Sequence, residues 1–191
     1  MVAAAQLALD DDDKIYEFVD GQWVEKDAPV EGQTMPGARH GGIGTRLIIE
    51  LGTHVKLNQL GGVYGPDTNF QIGNRERVPD LAFVSAARIP PEGEPETAWP
   101  IAPDLAVEVI SPNDSFEQVH RKLREYFAAG VREVWLISME QRTVMIYHSP
   151  VVAGVITLTE DDELTSAALL PGFRCRVAEL FKQPAHRPAD A

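Results

Sequence analysis

Hydrophobic and polar positions alternate in two short blocks near the start of the chain, at about 15–19 and 22–26, on either side of Asp20-Gly21. Asp-Gly between two alternating runs is the strongest short-range hairpin signal, so two antiparallel strands are expected. Residues 27–38 are rich in Pro and Gly and read as a loop. From Arg39 to about Gln59 the period changes. Ile43, Leu47, Ile48, Leu51 and Val55 recur at helical spacing, and Gly61-Gly62 ends the run. Gly41, Gly42 and Gly44 weaken the first turns of this helix. Short strands are expected near 62–65 and 68–72, and a third at 80–85 in "DLAFVS". Ile89 to Pro103 holds five prolines and three glutamates and reads as a surface loop. An apolar run follows at 104–110, in "PDLAVEVIS", and reads as a strand buried on both faces.

The segment "NDSFEQVHRKLREYFAAGV" carries the clearest helical pattern. Phe116, Val119, Leu123, Tyr126 and Phe127 form one apolar stripe, Asp114 with Glu117 fits a capping box, and Gly130 stands at the C-cap. "REVWLIS" is a further apolar strand. Strand, helix and strand in that order make a βαβ unit, so the strands at 104–110 and 133–138 are expected to be parallel neighbours. "TVMIYH", "GVITLT" and "RCRV" read as antiparallel strands leading into a short terminal helix. The fold class is α/β (α+β): a mixed β-sheet flanked by helices, with an N-terminal hairpin and C-terminal antiparallel strands. Residues 1–13 are expected to be disordered, 14–183 to form a single domain and 184–191 a flexible tail.

Composition adds little to this picture, whereas charge changes it. The chain has 191 residues, 44% of them hydrophobic and 24% charged, as in an ordinary soluble protein. No apolar run approaches the roughly 20 residues that span a bilayer, no signal-peptide pattern is evident, and Cys175 is the only cysteine. A cytoplasmic protein is expected. The net charge of −12 argues against strong nonspecific binding of nucleic acid, which a basic surface ordinarily drives. The acids are unevenly spread. Nine lie within residues 1–36, including the "DDDDK" run at Asp10 to Lys14, which matches a protease-cleavage tag and reads here as a chance acidic stretch. Glu92, Glu94 and Glu96 form a second acidic knot and Glu160 to Glu163 a third; the remainder is close to balanced and leaves room for a local basic groove.

Two acids stand in apolar strands, Asp80 in "VPDLAFVS" and Glu108 in "DLAVEVIS". If those strands are neighbours, the carboxylates converge and repel each other. A divalent cation such as Mg²⁺, which favours oxygen ligands and keeps several waters, would relieve the repulsion, with a backbone carbonyl as a third donor. Taken singly, Asp80 reads equally as turn chemistry after Pro79, and Glu108 as half of a buried ion pair with an arginine. Lys122 follows Glu108 by 14 residues and lies about 90° from the centre of the apolar stripe. From there it can run along apolar surface toward the strand end, or remain a solvated lysine. Arg121 points outward, and His120 borders the other side of the stripe.

Pro79-Asp80, then "LAVEVISP", then a helix carrying Lys122, then "YFAAGVREVWLIS", resembles the PD-(D/E)-x-K nuclease superfamily. More narrowly the chain resembles the Uma-type restriction-endonuclease-like family, from "YEFVDGQWVE" through "GARHGGIGTRL" to "VWLIS". The resemblance implies a restriction-endonuclease-like core and a DNA endonuclease using Mg²⁺ or Mn²⁺, and a homodimer. It implies a metal held by Asp80, Glu108 and the Val109 carbonyl, with Lys122 as the catalytic lysine. One departure stands out. The superfamily's lysine is due two residues after Glu108, where this chain has Ile110, and Lys122 would replace it from the following helix. Gln118 also stands where some members carry an aspartate. His40 and Glu17 match recurrent family positions. His40 reads as a residue at the site mouth or as a helix-start histidine, and Glu17 as a supporting acid or an ordinary hairpin residue. Trp23, Trp99 and Trp135 read as core or interface residues.

Two other readings stay open. The fold could serve as a catalytically silent binding or assembly module, its acidic surface directed at protein partners. A small-molecule or nucleotide site at the βαβ switch point is the third, and the absence of a glycine-rich phosphate loop after any strand speaks against it.

Overall fold

The computed structural model describes residues 15–19, 21–26, 37–111, 114–151 and 154–185. The expectations for residues 1–13, for most of the 27–38 loop, for Asp20 and for the chain after 185 lie outside the described residues.

The N-terminal hairpin pairs β1 (Tyr16–Val19) with β2 (Gln22–Glu25). Helix α1 runs Ala38–Leu57, two residues short of the expected end. Its early glycines do not prevent it from starting at Ala38, because packing of Ile43, Leu47, Leu51 and Val55 outweighs weak propensity. Next come β3 (Gly61–Tyr64), β4 (Phe70–Ile72), β5 (Arg75–Arg77) and β6 (Leu81–Ser85). β7 (Leu105–Ile110), α2 (Phe116–Ala128) and β8 (Glu133–Ser138) form the βαβ unit, and β7 and β8 are parallel as expected. β9 (Thr143–Tyr147), β10 (Ile156–Leu158), β11 (Glu163–Ser166), β12 (Leu170–Arg176) and α3 (Val177–Phe181) complete the order. Among the described residues no helix is long and apolar enough to cross a membrane.

A mixed six-stranded sheet, ordered β10-β9-β8-β7-β6-β3, forms the centre. Side chains alternate between its two faces. Leu81, Phe83, Leu105, Val107, Val109, Trp135 and Ile137 pack with α1 and α3 on one face. Ala82, Val84, Ala106, Val134 and Leu136 pack with Leu123 and Tyr126 of α2 on the other. Covering both faces explains why β7 and β8 read as near-continuous apolar runs. A second sheet, β2-β1-β5-β4, carries the hairpin, and β11-β12 form a third. Gly61 must be glycine. Its φ is +149°, and a Cβ there would lie 2.0 Å from the Val84 carbonyl oxygen.

Four expectations need correction. β5 was not foreseen, because "RER" has no apolar signal and is buried only by pairing its charges. β11 was missed too, although Leu164 and Ser166 turn inward between exposed Glu163 and Thr165. The capping box is made by Ser115 and Gln118, not by Asp114 and Glu117. Ser115 Oγ accepts from the Gln118 amide at 3.2 Å, while the Gln118 side chain accepts from the Ser115 amide at 3.0 Å. Asp114 instead accepts from the Ser111 amide. The shift leaves Phe116 at the first helical residue, where it is 70% exposed against His120 rather than part of the buried stripe. The 89–103 loop is also more than surface. Trp99 is buried, exchanges backbone hydrogen bonds with Asn69 and Gln71, and stacks on Phe70.

Cys175 lies buried in β12. Burial, with the nearby carboxylates of Glu50 and Glu179, pushes its thiol up to about 11. The thiol is neutral in the folded protein and ionises more readily once unfolded, so this site favours the fold below about pH 8.5 and opposes it as pH rises toward 11. Native protein at pH 8 is expected to react with Ellman's reagent far more slowly than protein unfolded in guanidinium. Equal rates would show that the thiol is accessible.

Candidate active site

The register of β6 on β7 brings the two acids side by side. Leu81 pairs with Val107 in an antiparallel ladder, so Asp80, one residue before β6, stands opposite Glu108. By alternation Glu108 shares the face of Ala106, under α2. Both are buried, at 6% and 8% exposure. Asp80 Oδ2 accepts the Val109 amide at 2.8 Å, which continues the ladder by a side chain where the strand itself has not begun.

Every carboxylate oxygen of the pair has a partner. Asp80 Oδ1 is 2.9 Å from Lys26 Nζ. His40 Nε2 lies 3.3 Å from Asp80 Oδ2 and 3.0 Å from the Val109 carbonyl oxygen. Both are acceptors, so that nitrogen carries the hydrogen. Glu108 Oε2 is 3.0 Å from Lys122 Nζ, and Oε1 accepts the Tyr126 hydroxyl at 2.5 Å. Lys122 and Tyr126 stand four residues apart on α2, one turn along the same face. Burial disfavours ionisation of Asp80, but the His40 hydrogen bond, the Lys26 charge and the Val109 amide outweigh it and hold the carboxyl well below the usual range. Glu108 moves the other way. Its burial, reinforced by the charges of Asp80 and Glu17, raises it despite Lys122. Burial would lower Lys122, yet Glu108, Glu17 and Asp80 raise it, so the ammonium keeps its proton. Burial and the Glu108 charge also raise Tyr126, which stays a donor.

Behind this pair lies a second layer of charge. Arg77, 4% exposed, contacts Glu17 Oε2 through Nη1 at 2.5 Å and Glu125 Oε2 through Nε at 2.9 Å and Nη2 at 2.5 Å. Glu17 Oε1 accepts the Val78 amide at 3.1 Å, and Arg75 also pairs with Glu125. These contacts join β1, β5 and α2 beneath the Asp80–Glu108 pair.

The residues singled out in the sequence therefore meet: Asp80, Glu108, Lys122, His40 and the Val109 carbonyl share one place. Glu17 sits a step behind, in the charge layer, rather than at the pair itself. The arginine partner considered for Glu108 is not there; the arginine went to Glu17 and Glu125, and Glu108 took Lys122. Ile110, two residues after Glu108, packs against the apolar residues under α2. Three participants were missed. Lys26 gave no signal, since it ends an ordinary alternating strand. Arg77 was hidden in "RER". In the sequence Tyr126 belongs to the apolar stripe, yet a buried phenol needs a hydrogen-bond partner, and its four-residue spacing from Lys122 is the signal that points to this role.

The donor set suits a hard cation: two carboxylates and a carbonyl, all oxygen. Among the described residues no group of three or more His, Cys, Asp and Glu side chains is arranged to hold a metal by itself. A cation here would complete its shell with the Val109 carbonyl, water and substrate oxygen, as Mg²⁺ commonly does.

A family profile described as "Uma2: Putative restriction endonuclease" matches residues 3–178. A crystal structure described as a "putative nuclease belonging to DUF820" from Anabaena variabilis superposes with a TM-score of 0.73 at 22% identity, covering 87% of this chain and 89% of that one. That likeness establishes the restriction-endonuclease-like fold. A search of curated proteins gives no match.

Arg77→Met is expected to destabilise the protein by about 3–5 kcal/mol, because it leaves Glu17 and Glu125 buried without their shared cation. Arg77→Lys should recover only part of this, lacking the planar fork. Urea denaturation checks both; a loss below about 1 kcal/mol for Arg77→Met would show that water replaces the arginine freely.

Proposed function

Because the chain belongs to the Uma2 family, we propose that it is a Mg²⁺- or Mn²⁺-dependent DNA endonuclease of the PD-(D/E)-x-K type, with Asp80, Glu108 and Lys122 at its centre. One observation carries this reading: Asp80 and Glu108 face each other from neighbouring strands, each next to a lysine, beside the Val109 carbonyl. Like charges this close repel each other, a repulsion that Lys26 and Lys122 offset here and that a divalent cation would offset when bound.

When bound, the cation neutralises charge on the phosphate and lowers the pKa of a water. Asp80, Glu108 and the Val109 carbonyl are its protein donors. Tyr126 fixes one oxygen of Glu108, which sets the direction of the other. His40 fixes the Val109 carbonyl through Nε2 and steadies Asp80 at the same time. Lys122 is held charged by Glu108 and is the partly exposed cation of the site, at 27% exposure. It is therefore the group able to meet a phosphate oxygen or orient the attacking water. Cutting both strands of a duplex calls for two such sites, and a homodimer would supply them.

The test is cleavage of supercoiled plasmid with Mg²⁺ or Mn²⁺. Asp80→Asn, Glu108→Gln and Lys122→Ala are each expected to lose about 100-fold or more in rate, with folding verified by thermal melting. Cleavage that survives equally in the first two variants would come from a contaminant and would favour the silent binding module.

A further inference from the structure

Lys26 has no place in the chemistry so far, yet it touches the centre of the site. Its side chain is 5% exposed, and its ammonium is 2.9 Å from Asp80 Oδ1. Among the described residues Asp80 is its one side-chain partner. A buried ammonium is costly unless paired, so the pairing is a demand of the fold. The two lysines of the site are not equivalent. Lys122 stands on α2, within the βαβ unit, and stays partly exposed beside Glu108. Lys26 follows the last residue of β2, the edge strand of the second sheet, which among the described residues pairs with β1 alone. β1 in turn meets β5 through the Phe18–Glu76 pair and the Glu17–Arg77 contact.

On the metal-site part of the function proposed above, we infer that Lys26 is a positioning residue that occupies Asp80 in place of the divalent cation and must leave Oδ1 for that cation to bind. Three observations meet here. Oδ2 already takes two donors, the Val109 amide and His40, and Oδ1 takes Lys26, so a cation arriving at Asp80 comes to the oxygen that the ammonium holds. The Val109 amide is fixed in the strand and cannot leave. An ammonium and a dication on one carboxylate repel each other, and burial leaves little water to screen them. Lys26 thereby keeps the carboxylate pair neutralised when metal is absent and weakens metal binding until it swings away.

The test uses the full chain without DNA. Mn²⁺ binding is measured by calorimetry for wild type, Lys26→Met, Lys26→Arg and the double variant Lys26→Met/Asp80→Asn. Lys26→Met, close in shape but uncharged, is expected to bind Mn²⁺ at least tenfold more tightly than wild type. Lys26→Arg should stay as weak as wild type, and the double variant should lose the site. Wild-type protein supplies a second readout that no folding defect can blur. Amine acetylation followed by mass spectrometry should find Lys26 protected without metal and modified faster as Mn²⁺ saturates, with exposed Lys182 as the internal reference. Equal or weaker Mn²⁺ binding by Lys26→Met, or Lys26 protection unchanged at saturating Mn²⁺, overturns the inference and leaves the metal site standing. Absence of Asp80-dependent Mn²⁺ binding in all variants overturns the metal site and the inference together.

Discussion

The Glu108 side chain leaves β7 on the face that α2 covers, where water is not available to solvate a carboxylate, so both of its oxygens must find donors within the protein. Tyr126 and Lys122 provide them. The strand register then sets Asp80 opposite, adding a second acid to the same low-dielectric place. Asp80 is answered by Lys26, His40 and the Val109 amide. Glu17 adds a third negative charge close enough to influence Glu108, and Arg77 answers it. Arg77 draws in Glu125, and Arg75 balances Glu125 in turn. Each charge exists where it does because the one before it needed compensation.

The cations are divided by type. The supporting layer uses arginine, whose planar fork donates to two carboxylates at once and cannot lose its charge. The pair of acids itself meets lysines, each touching a single carboxylate oxygen. A forked contact resists exchange; a point contact can be traded for another cation. The arrangement is rigid where rigidity orients β1, β5 and α2, and replaceable where a ligand would enter.

Much of this was legible because the central strands obey simple rules. Apolar continuity marked β6, β7 and β8, and the βαβ order gave their parallel pair. Two acids in those runs stood out against that background, and the helical wheel placed Lys122 at the border of its stripe. What the residues could not disclose was long-range compensation. Nothing about "VEKD" says that Lys26 will meet an acid 54 residues away, and "RER" reads as solvated until Glu17 and Glu125 close around it. The same limit explains the capping box. Asp114–Glu117 and Ser115–Gln118 are equally good patterns, and the backbone chose the one that leaves Phe116 outside.

The two ion pairs of the site also differ in how far apart their members lie along the chain. Lys122 follows Glu108 by 14 residues inside one strand–helix unit, whereas Lys26 and Asp80 are separated by 54, with α1 and three strands between them. The entropy lost on closing a loop grows with its length, and contacts between distant segments form late. Glu108 is therefore expected to gain its lysine while the βαβ unit is assembling, and Asp80 only when the N-terminal hairpin docks. The half of the site that depends on the longer chain closure is therefore the half held by the hairpin.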